Sequence, residues 1–189
     1  RLEWLQQQKW PSNVRCCFAD VYQTNSLKEA FDGAEVLVYL VHAMAEEDDL
    51  LEKERQAAQN TLLALKSSTI KHIIYLGSMQ PEDSRSAHLQ ARKLTGDLLR
   101  MGNIPVTELR AGIVIGAGSA AFEVMRDMVY NLAILTPPRW VRSKSSPLAL
   151  ENLLTYLSGL IAIPAESHRQ FDAAGPEYIS YQTLFERFI

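Results

Sequence analysis

Three polar residues in the middle of the chain, Ser78, His88 and Arg92, have side-chain types and a spacing that suit chemistry on an oxygen-containing group. Histidine is a common general acid or base because its charge changes near neutral pH. Residues four apart on a helix share one face, so His88 and Arg92 are expected to lie side by side. The pattern fits a site, for binding more than for catalysis, and it fits an exposed polar helix face equally well.

A strand, a loop and a helix are expected to position these three residues. Lys71 to Gly77 is a β-branched and aromatic run typical of a buried strand, and the polar, proline-containing stretch after it predicts a loop. Leucines recur at helical spacing from His88, and Gly102-Asn103 indicates where that helix stops. Ser78 is therefore expected at the carboxyl end of a central strand, one loop before His88.

Strands and helices alternate along the rest of the chain. The nearly continuous apolar run from Glu35 to Val41 predicts a strand covered on both faces, which favours a parallel sheet. We expect other strands at Val14 to Val21, at Val106 to Ile115 with a break at Gly112, and at Gln170 to Ala174. Strict alternation with short turns predicts the α/β class with a doubly wound parallel sheet.

Ligands of such sheets bind beyond the carboxyl ends of the strands, where the strand order reverses. Four of these ends can be located in the sequence, and we expect their polar residues to converge. They are Asp20-Val21, Val41-His42, Ser78 to Gln80, and Arg110 to Ile113.

The composition, with 189 residues, 47% hydrophobic and 22% charged, suits one globular domain and argues against disorder or a coiled coil. The net charge of −3 gives no basic field, so no nucleic-acid partner is expected. No uninterrupted apolar run reaches membrane-spanning length, so no membrane partner is expected for this segment. The adjacent Cys16 and Cys17 would form a strained disulfide and indicate reduced core thiols, hence a cytoplasmic location.

The strand ends and the segments around them resemble an atypical, extended-type short-chain dehydrogenase/reductase, close to the NmrA-like and nucleoside-diphosphate-sugar-epimerase-like branch. The resemblance extends to an uncharacterised bacterial group. It implies that residues 1–189 form a single NAD(P)-binding Rossmann-like domain, truncated at both ends, with 116–189 contributing the substrate-side region. It also implies NAD or NADP as cofactor. The motifs that carry it are ADV at Asp20, EVLVYLVHAM, HIIYLGSMQ, HLQARKLTGDLLR, VTELRAGIVIGAGS, PLALENLLTYL and FDAAGPEYISYQTLF.

Two features depart from that family's pattern. Its glycine-rich pyrophosphate loop, GxxGxxG, is nowhere in the chain and would precede Arg1, so the N-terminal strand and this loop are expected to be absent from the segment. Its Tyr-x-x-x-Lys pair is replaced at the same spacing by His88 and Arg92. Arg92 can keep the ribose-binding and charge role, and His88 can serve as acid or base. Whether the protein is an enzyme stays open.

Other residues receive roles from the resemblance alone, each with a structural alternative. Asp20 would contact adenine or merely start a turn; Arg110 would face the substrate or pair an internal carboxylate; the loop with Arg139 and Trp140 would clamp a substrate or be solvated. The acidic run Glu46 to Asp49 has no His or Cys beside it, so no metal site is expected. The implied catalytic residues are Ser78, His88 and Arg92, the cofactor-binding residues are Asp20, Val21, Val41, His42, Arg92, Ala111 and Gly112, and the substrate-binding residues are Gln80, Arg110, Arg139 and Trp140.

The implied activity is hydride transfer on a carbonyl or alcohol, as in a reductase or a sugar-nucleotide epimerase, with a small-molecule substrate that the sequence does not identify. The alternative is a non-catalytic, NmrA-like dinucleotide sensor or scaffold. A homodimer through the long helices that start near Glu46 and His88 is a further expectation from the resemblance.

Overall fold

A four-stranded parallel sheet forms the centre of the molecule, which is represented by a computed structural model describing residues 5, 7–43, 47–79, 86–131 and 139–187. All three neighbouring strand pairs run parallel, and helices lie on both faces, so the expected doubly wound α/β class is confirmed. In spatial order the strands are β1 (Val36–Tyr39), β2 (His72–Ser78), β3 (Val106–Ala111) and β7 (Arg169–Ala173).

Helices connect the strands of this sheet. Most strands and helices lie close to the positions that the apolar periodicity predicts. Among the described helices, none is long and apolar enough to cross a membrane. The helices are α1 (Thr24–Phe31), α2 (Glu47–Leu65), α3 (Ala87–Leu99), α4 (Ala120–Asn131), a 3-10 helix (Arg139–Arg142), α5 (Leu150–Ala162) and α6 (Tyr181–Glu186). Two small sheets complete the fold: β4 (Val114–Ile115) pairs with β6 (Leu148–Ala149), and β5 (Lys144–Ser145) pairs with β8 (Ile179–Ser180).

Successive residues of β2 face opposite sides of the sheet, and both sides are covered. Ile73 and Tyr75 pack into the cluster that α1, α2 and α3 share, whereas Ile74 packs with Leu153 and Leu157 of α5. Ile73, Ile74 and Tyr75 are each 0% exposed. Burial on both faces is the physical reason for the unbroken apolar run in this strand.

The strand expected at Val14 to Val21 is not formed. Residues 14–20 have no regular secondary structure, and the side chains of Val14 and Phe18 are 45% and 56% exposed. A strand needs a neighbour for its backbone hydrogen bonds, and within the described ranges β1 is an edge strand whose partner is β2. The expectation of core thiols is also wrong, because Cys17 in this segment is exposed and Cys16 is only half-buried, although both are free.

Candidate functional site

The carboxyl ends of β2 and β3 open into a cleft of about 1110 Å³. Ser78 of β2 stands beside Ala111 of β3, and the N–H of Met79 donates to the Ala111 carbonyl oxygen at 2.9 Å. Ser78, Arg110, Ala111 and Gly112 all line the cleft. The structure therefore brings four of the residues implied by the sequence to one place.

The remaining wall of the cleft comes mainly from the chain after β4. Nζ of Lys144 lies 5.8 Å from the centroid of the Tyr178 ring, so a cation and an aromatic face stand together at this wall. The mixture of apolar and hydroxyl groups suits a polar organic ligand. The described wall residues include Leu89, Val124, Met125, Ser143, Lys144, Ser145, Ser146, Tyr178 and Tyr181.

Arg110 carries an ion pair inside the cleft. Its Nε donates to Oδ1 of Asp172 on β7 at 2.7 Å, across the β3–β7 register. The side chains are 35% and 51% exposed, and solvent screening holds such a pair to at most about 1 kcal/mol of stability. The other N–H groups of this guanidinium make no hydrogen bond to any described residue, so they can bind a ligand.

Gly112 allows two backbone segments to approach closely at the end of β3. A Cβ at this position would lie 2.5 Å from the carbonyl oxygen of Ser146. Any larger residue would push the two segments apart and widen the cleft. The close approach explains why the strand predicted from Val106 to Ile115 breaks here into β3 and β4.

A second cluster contains His42 and Arg92, on the loop after β1 and on α3. Burial, and to a smaller extent the positive charge of Arg92, lower the pKa of His42 to about 4. Nδ1 of His42 is buried and has no hydrogen-bond partner among the residues that the structure describes. The Tyr75 hydroxyl donates to the Arg92 carbonyl oxygen at 2.9 Å, which ties this turn of α3 to β2. Two residues that the resemblance assigns to the cofactor are thus neighbours.

His88 lies one turn before Arg92 on α3 and is exposed. Neither of these two residues is among the described residues that line the cleft, although Ser86 and Leu89 around the start of the same helix are. Val41, the other residue expected at the end of β1, lies beyond the observed strand and is 41% exposed.

Asp20 starts a turn, which is the structural alternative given above to a contact with adenine. Its Oδ1 accepts from the N–H of Tyr22 at 2.9 Å, and its Oδ2 accepts from the side-chain amide of Gln23 at 3.0 Å. The carbonyl oxygen of Val21 accepts from Nδ2 of Asn60 on α2 at 3.0 Å. These bonds hold the turn against α2, and an adenine-binding role of Asp20 and Val21 stays a prediction.

The structure describes the four expected substrate-binding residues to different extents. Arg110 lines the cleft, Gln80 lies outside the described residues, and Arg139 and Trp140 are described only as backbone of the 3-10 helix. The sequence reasoning missed Asp172 and Lys144. Asp172 had no local signal, because its role depends on the pairing of β3 with β7.

No family model and no curated protein sequence matches the chain. Pen from Bacillus thuringiensis superimposes with a TM-score of 0.80 at 14% identity, over 99% of this chain and 60% of that one. DesIV from Streptomyces venezuelae, a dTDP-glucose 4,6-dehydratase with NAD and DAU bound, gives a TM-score of 0.72 at 10% identity over 90% of this chain and 61% of that chain. The triphenylmethane reductase of Citrobacter sp. complexed with NADP(H) gives 0.71 at 20% identity over 90% of this chain and 57% of that one.

This chain shares their fold. The resemblance in sequence names a reductase, which is what the Citrobacter protein is, and does not name a dehydratase. The chain spans only 57% to 61% of the length of these three proteins.

Proposed function

We propose that this chain belongs to a NAD(P)-binding protein of the atypical short-chain dehydrogenase/reductase or sugar-nucleotide epimerase class, which transfers hydride to or from a carbonyl or alcohol substrate. One observation carries the proposal. The cleft with Ser78, Arg110 and Gly112 lies at the carboxyl ends of parallel strands, in a fold shared with structures that contain NAD or NADP(H). The named neighbours are a dehydratase and a reductase, and nothing among the described residues favours the non-catalytic alternative.

The described residues fit one end of a dinucleotide better than the other. Arg92 offers a cation for a ribose or phosphate oxygen, and Gly112 lines the cleft at the end of β3. The segments after β1 and β2, residues 40–46 and 79–86, contain no glycine, and the described glycines with positive φ are Gly33 and Gly118. The proposal therefore assigns the nicotinamide half of the dinucleotide, and not the pyrophosphate half, to these residues.

The proposed chemistry combines the cleft with the adjoining first turn of α3. The nicotinamide ring, when bound, supplies or accepts the hydride at C4. The Ser78 hydroxyl hydrogen-bonds the reacting oxygen of the substrate, and His88 exchanges a proton with that oxygen. Arg92 holds the ribose, and Arg110 binds an acceptor group of the substrate. The further proposed contacts are Asp20, Val21, Val41, His42 and Ala111 for the cofactor, and Gln80, Arg139 and Trp140 for the substrate.

Titration tests the cofactor assignment directly. NADH and NADPH are titrated into the whole protein that carries this chain and into the 189-residue chain alone, with fluorescence and calorimetry as readouts. Micromolar binding by the whole protein supports the proposal, and its loss in Arg92→Ala supports the assignment of that residue. Arg55→Ala, on the exposed face of α2, is the matched control. No binding of either dinucleotide by the whole protein refutes the proposal.

Turnover is tested separately, because binding alone does not show catalysis. Bound NADH and NADPH are offered a panel of aldehydes, ketones and keto-sugar nucleotides, and oxidation is followed at the nicotinamide absorbance. We expect Ser78→Ala and His88→Ala to slow oxidation without abolishing binding. Tight binding with no turnover across the panel would favour the sensor over the enzyme.

Location and assembly complete the proposal. The cytoplasmic location rests on the cysteine usage of the sequence and stays a prediction. The homodimer and the absence of a nucleic-acid partner rest on the sequence alone and stay predictions.

A further inference from the structure

Glu54 of α2 is a buried carboxylate that none of the roles above uses. It is 2% exposed, and Leu50, Ala58 and Thr61 on the same helix face are buried with it. No basic side chain forms an ion pair with it within the described part of the chain. A carboxylate in such a place is strongly disfavoured unless its oxygens accept hydrogen bonds.

Each oxygen of Glu54 accepts a bond from a different element. Oε1 accepts from the N–H of Ala43 at 2.7 Å, and Oε2 accepts from the hydroxyl of Thr95 at 2.6 Å. Ala43 directly follows His42 in the loop after β1, and Thr95 lies one helical turn after Arg92 on α3. The carboxylate therefore connects the two segments that carry His42 and Arg92.

The Thr95 hydroxyl is itself held in place, because it also contacts the carbonyl oxygen of Ala91 at 3.2 Å. Helix α3 thus presents a fixed donor, and α2 presents a buried acceptor. Residues 40–43 of the loop after β1 form neither helix nor strand, so bonds such as that from Ala43 to Glu54 fix their position. Loss of the carboxylate would leave both the Ala43 N–H and the Thr95 hydroxyl without this acceptor.

We propose that Glu54 is a positioning residue, which sets the distance of His42 from Arg92 by bonding Ala43 and Thr95 at once. Its effect on ligand binding rests on the proposed function, because His42 and Arg92 are assigned there to the cofactor. The environment of His42 supports the assignment, since its low pKa requires the loop to stay buried and close to Arg92.

The test compares three variants with the wild-type chain. Glu54→Leu removes both acceptors at similar side-chain size, and Thr95→Val removes only the bond to α3. Glu52→Leu is the matched control, because it makes the same change on the same helix at a side chain that is 77% exposed. The readouts are the pKa of His42 from histidine side-chain NMR and the Kd for NADH and NADPH.

In Glu54→Leu we expect the pKa of His42 to rise from about 4 toward the ordinary histidine value of about 6.5. The dinucleotide Kd should rise about tenfold, as for the loss of one well-formed polar contact. Thr95→Val should raise the pKa of His42 and the dinucleotide Kd by smaller amounts. Glu52→Leu should change neither quantity. Glu54→Gln keeps an oxygen for the Ala43 N–H and should restore most of the wild-type pKa.

A wild-type His42 pKa in folded Glu54→Leu would overturn the proposal. Should Glu54→Leu not fold, a wild-type His42 pKa in Thr95→Val overturns it equally, whereas a raised value there supports the assignment. The NMR measurement needs no ligand. If the wild-type protein binds neither dinucleotide, the proposed function fails, and the His42 pKa still decides whether Glu54 positions this loop.

Discussion

Replacing Gly77 with alanine tests how tightly the end of β2 is packed beside Ser78. A Cβ on Gly77 would lie 2.5 Å from Oε1 and 3.2 Å from Cγ of Glu108. Glu108 is 3% exposed, and its Oε2 is held by the Arg100 guanidinium and by the Gln170 amide, the latter at 2.8 Å. The carboxylate therefore cannot swing away without breaking these bonds.

The expected size of the effect follows from two opposing contributions. An added methyl group in a filled interior costs about 1–3 kcal/mol. Alanine also loses less backbone entropy on folding than glycine, and this difference raises the free energy of unfolding by about 0.4–1 kcal/mol. We expect Gly77→Ala to lower the free energy of unfolding by about 1–2 kcal/mol, which corresponds to a fall in Tm of about 2–8 °C for a chain of this length.

Urea and thermal unfolding followed by circular dichroism measure this change. Gly159→Ala is the matched control, because Gly159 lies inside α5 and a Cβ there meets no atom within 4 Å. The control should stabilise the chain by about 0.5–1 kcal/mol, since alanine is the better helix former. If Gly77→Ala is as stable as the wild type or gains stability like the control, Glu108 does not pack against this glycine as described.

Three further outcomes follow from the same contacts. The pKa of folded His42, about 4, lies below the unfolded value of about 6.5. The stability that depends on neutral His42 is therefore fully present above pH about 6.5. It is lost as the pH falls toward about 4, because His42 takes up its proton in the unfolded chain at a higher pH than in the folded chain. His42→Gln should flatten that part of a profile of urea midpoint against pH, and an unchanged profile would contradict the low pKa. Asp172→Asn should change the free energy of unfolding by less than about 1 kcal/mol, because its pair with Arg110 is solvent-accessible; a loss of several times that in urea unfolding would show that the pair is structural. Glu108→Ala should cost about 3 kcal/mol, because Arg100, with a side chain 19% exposed, loses its buried partner, and a loss below about 1 kcal/mol in the same assay would contradict that partnership.

Local patterns were sufficient to predict most of the sheet. The apolar run that becomes β2 is buried on both faces, so its sequence alone identifies it as a central parallel strand. The break at Gly112 was also predictable, because glycine inside a strand pattern marks a bend or a close backbone approach. The order of these elements was enough to place Ser78 and Arg110 at strand ends.

The segment from Val14 to Phe18 shows where local pattern fails. Its composition suits a strand, yet hydrogen-bond partners for a strand come from another part of the chain, and no described strand lies beside it. Local sequence reports the propensity of a segment and contains no information on whether a neighbour is present. The same limit applies to the pairing of Arg110 with Asp172, which are 62 residues apart.

The buried carboxylate of Glu54 shows the other limit. An acidic residue inside a charge-rich helix is ordinarily expected to be solvated, and only its position among Leu50, Ala58 and Thr61 hints at burial. Sequence determined that this chain forms a parallel α/β sheet with polar residues at the strand ends, because periodicity and burial are local properties. The tertiary structure alone decided which of those residues meet, because the meeting of His42 with Arg92, and of Glu54 with Ala43 and Thr95, depends on how separate helices and loops pack together.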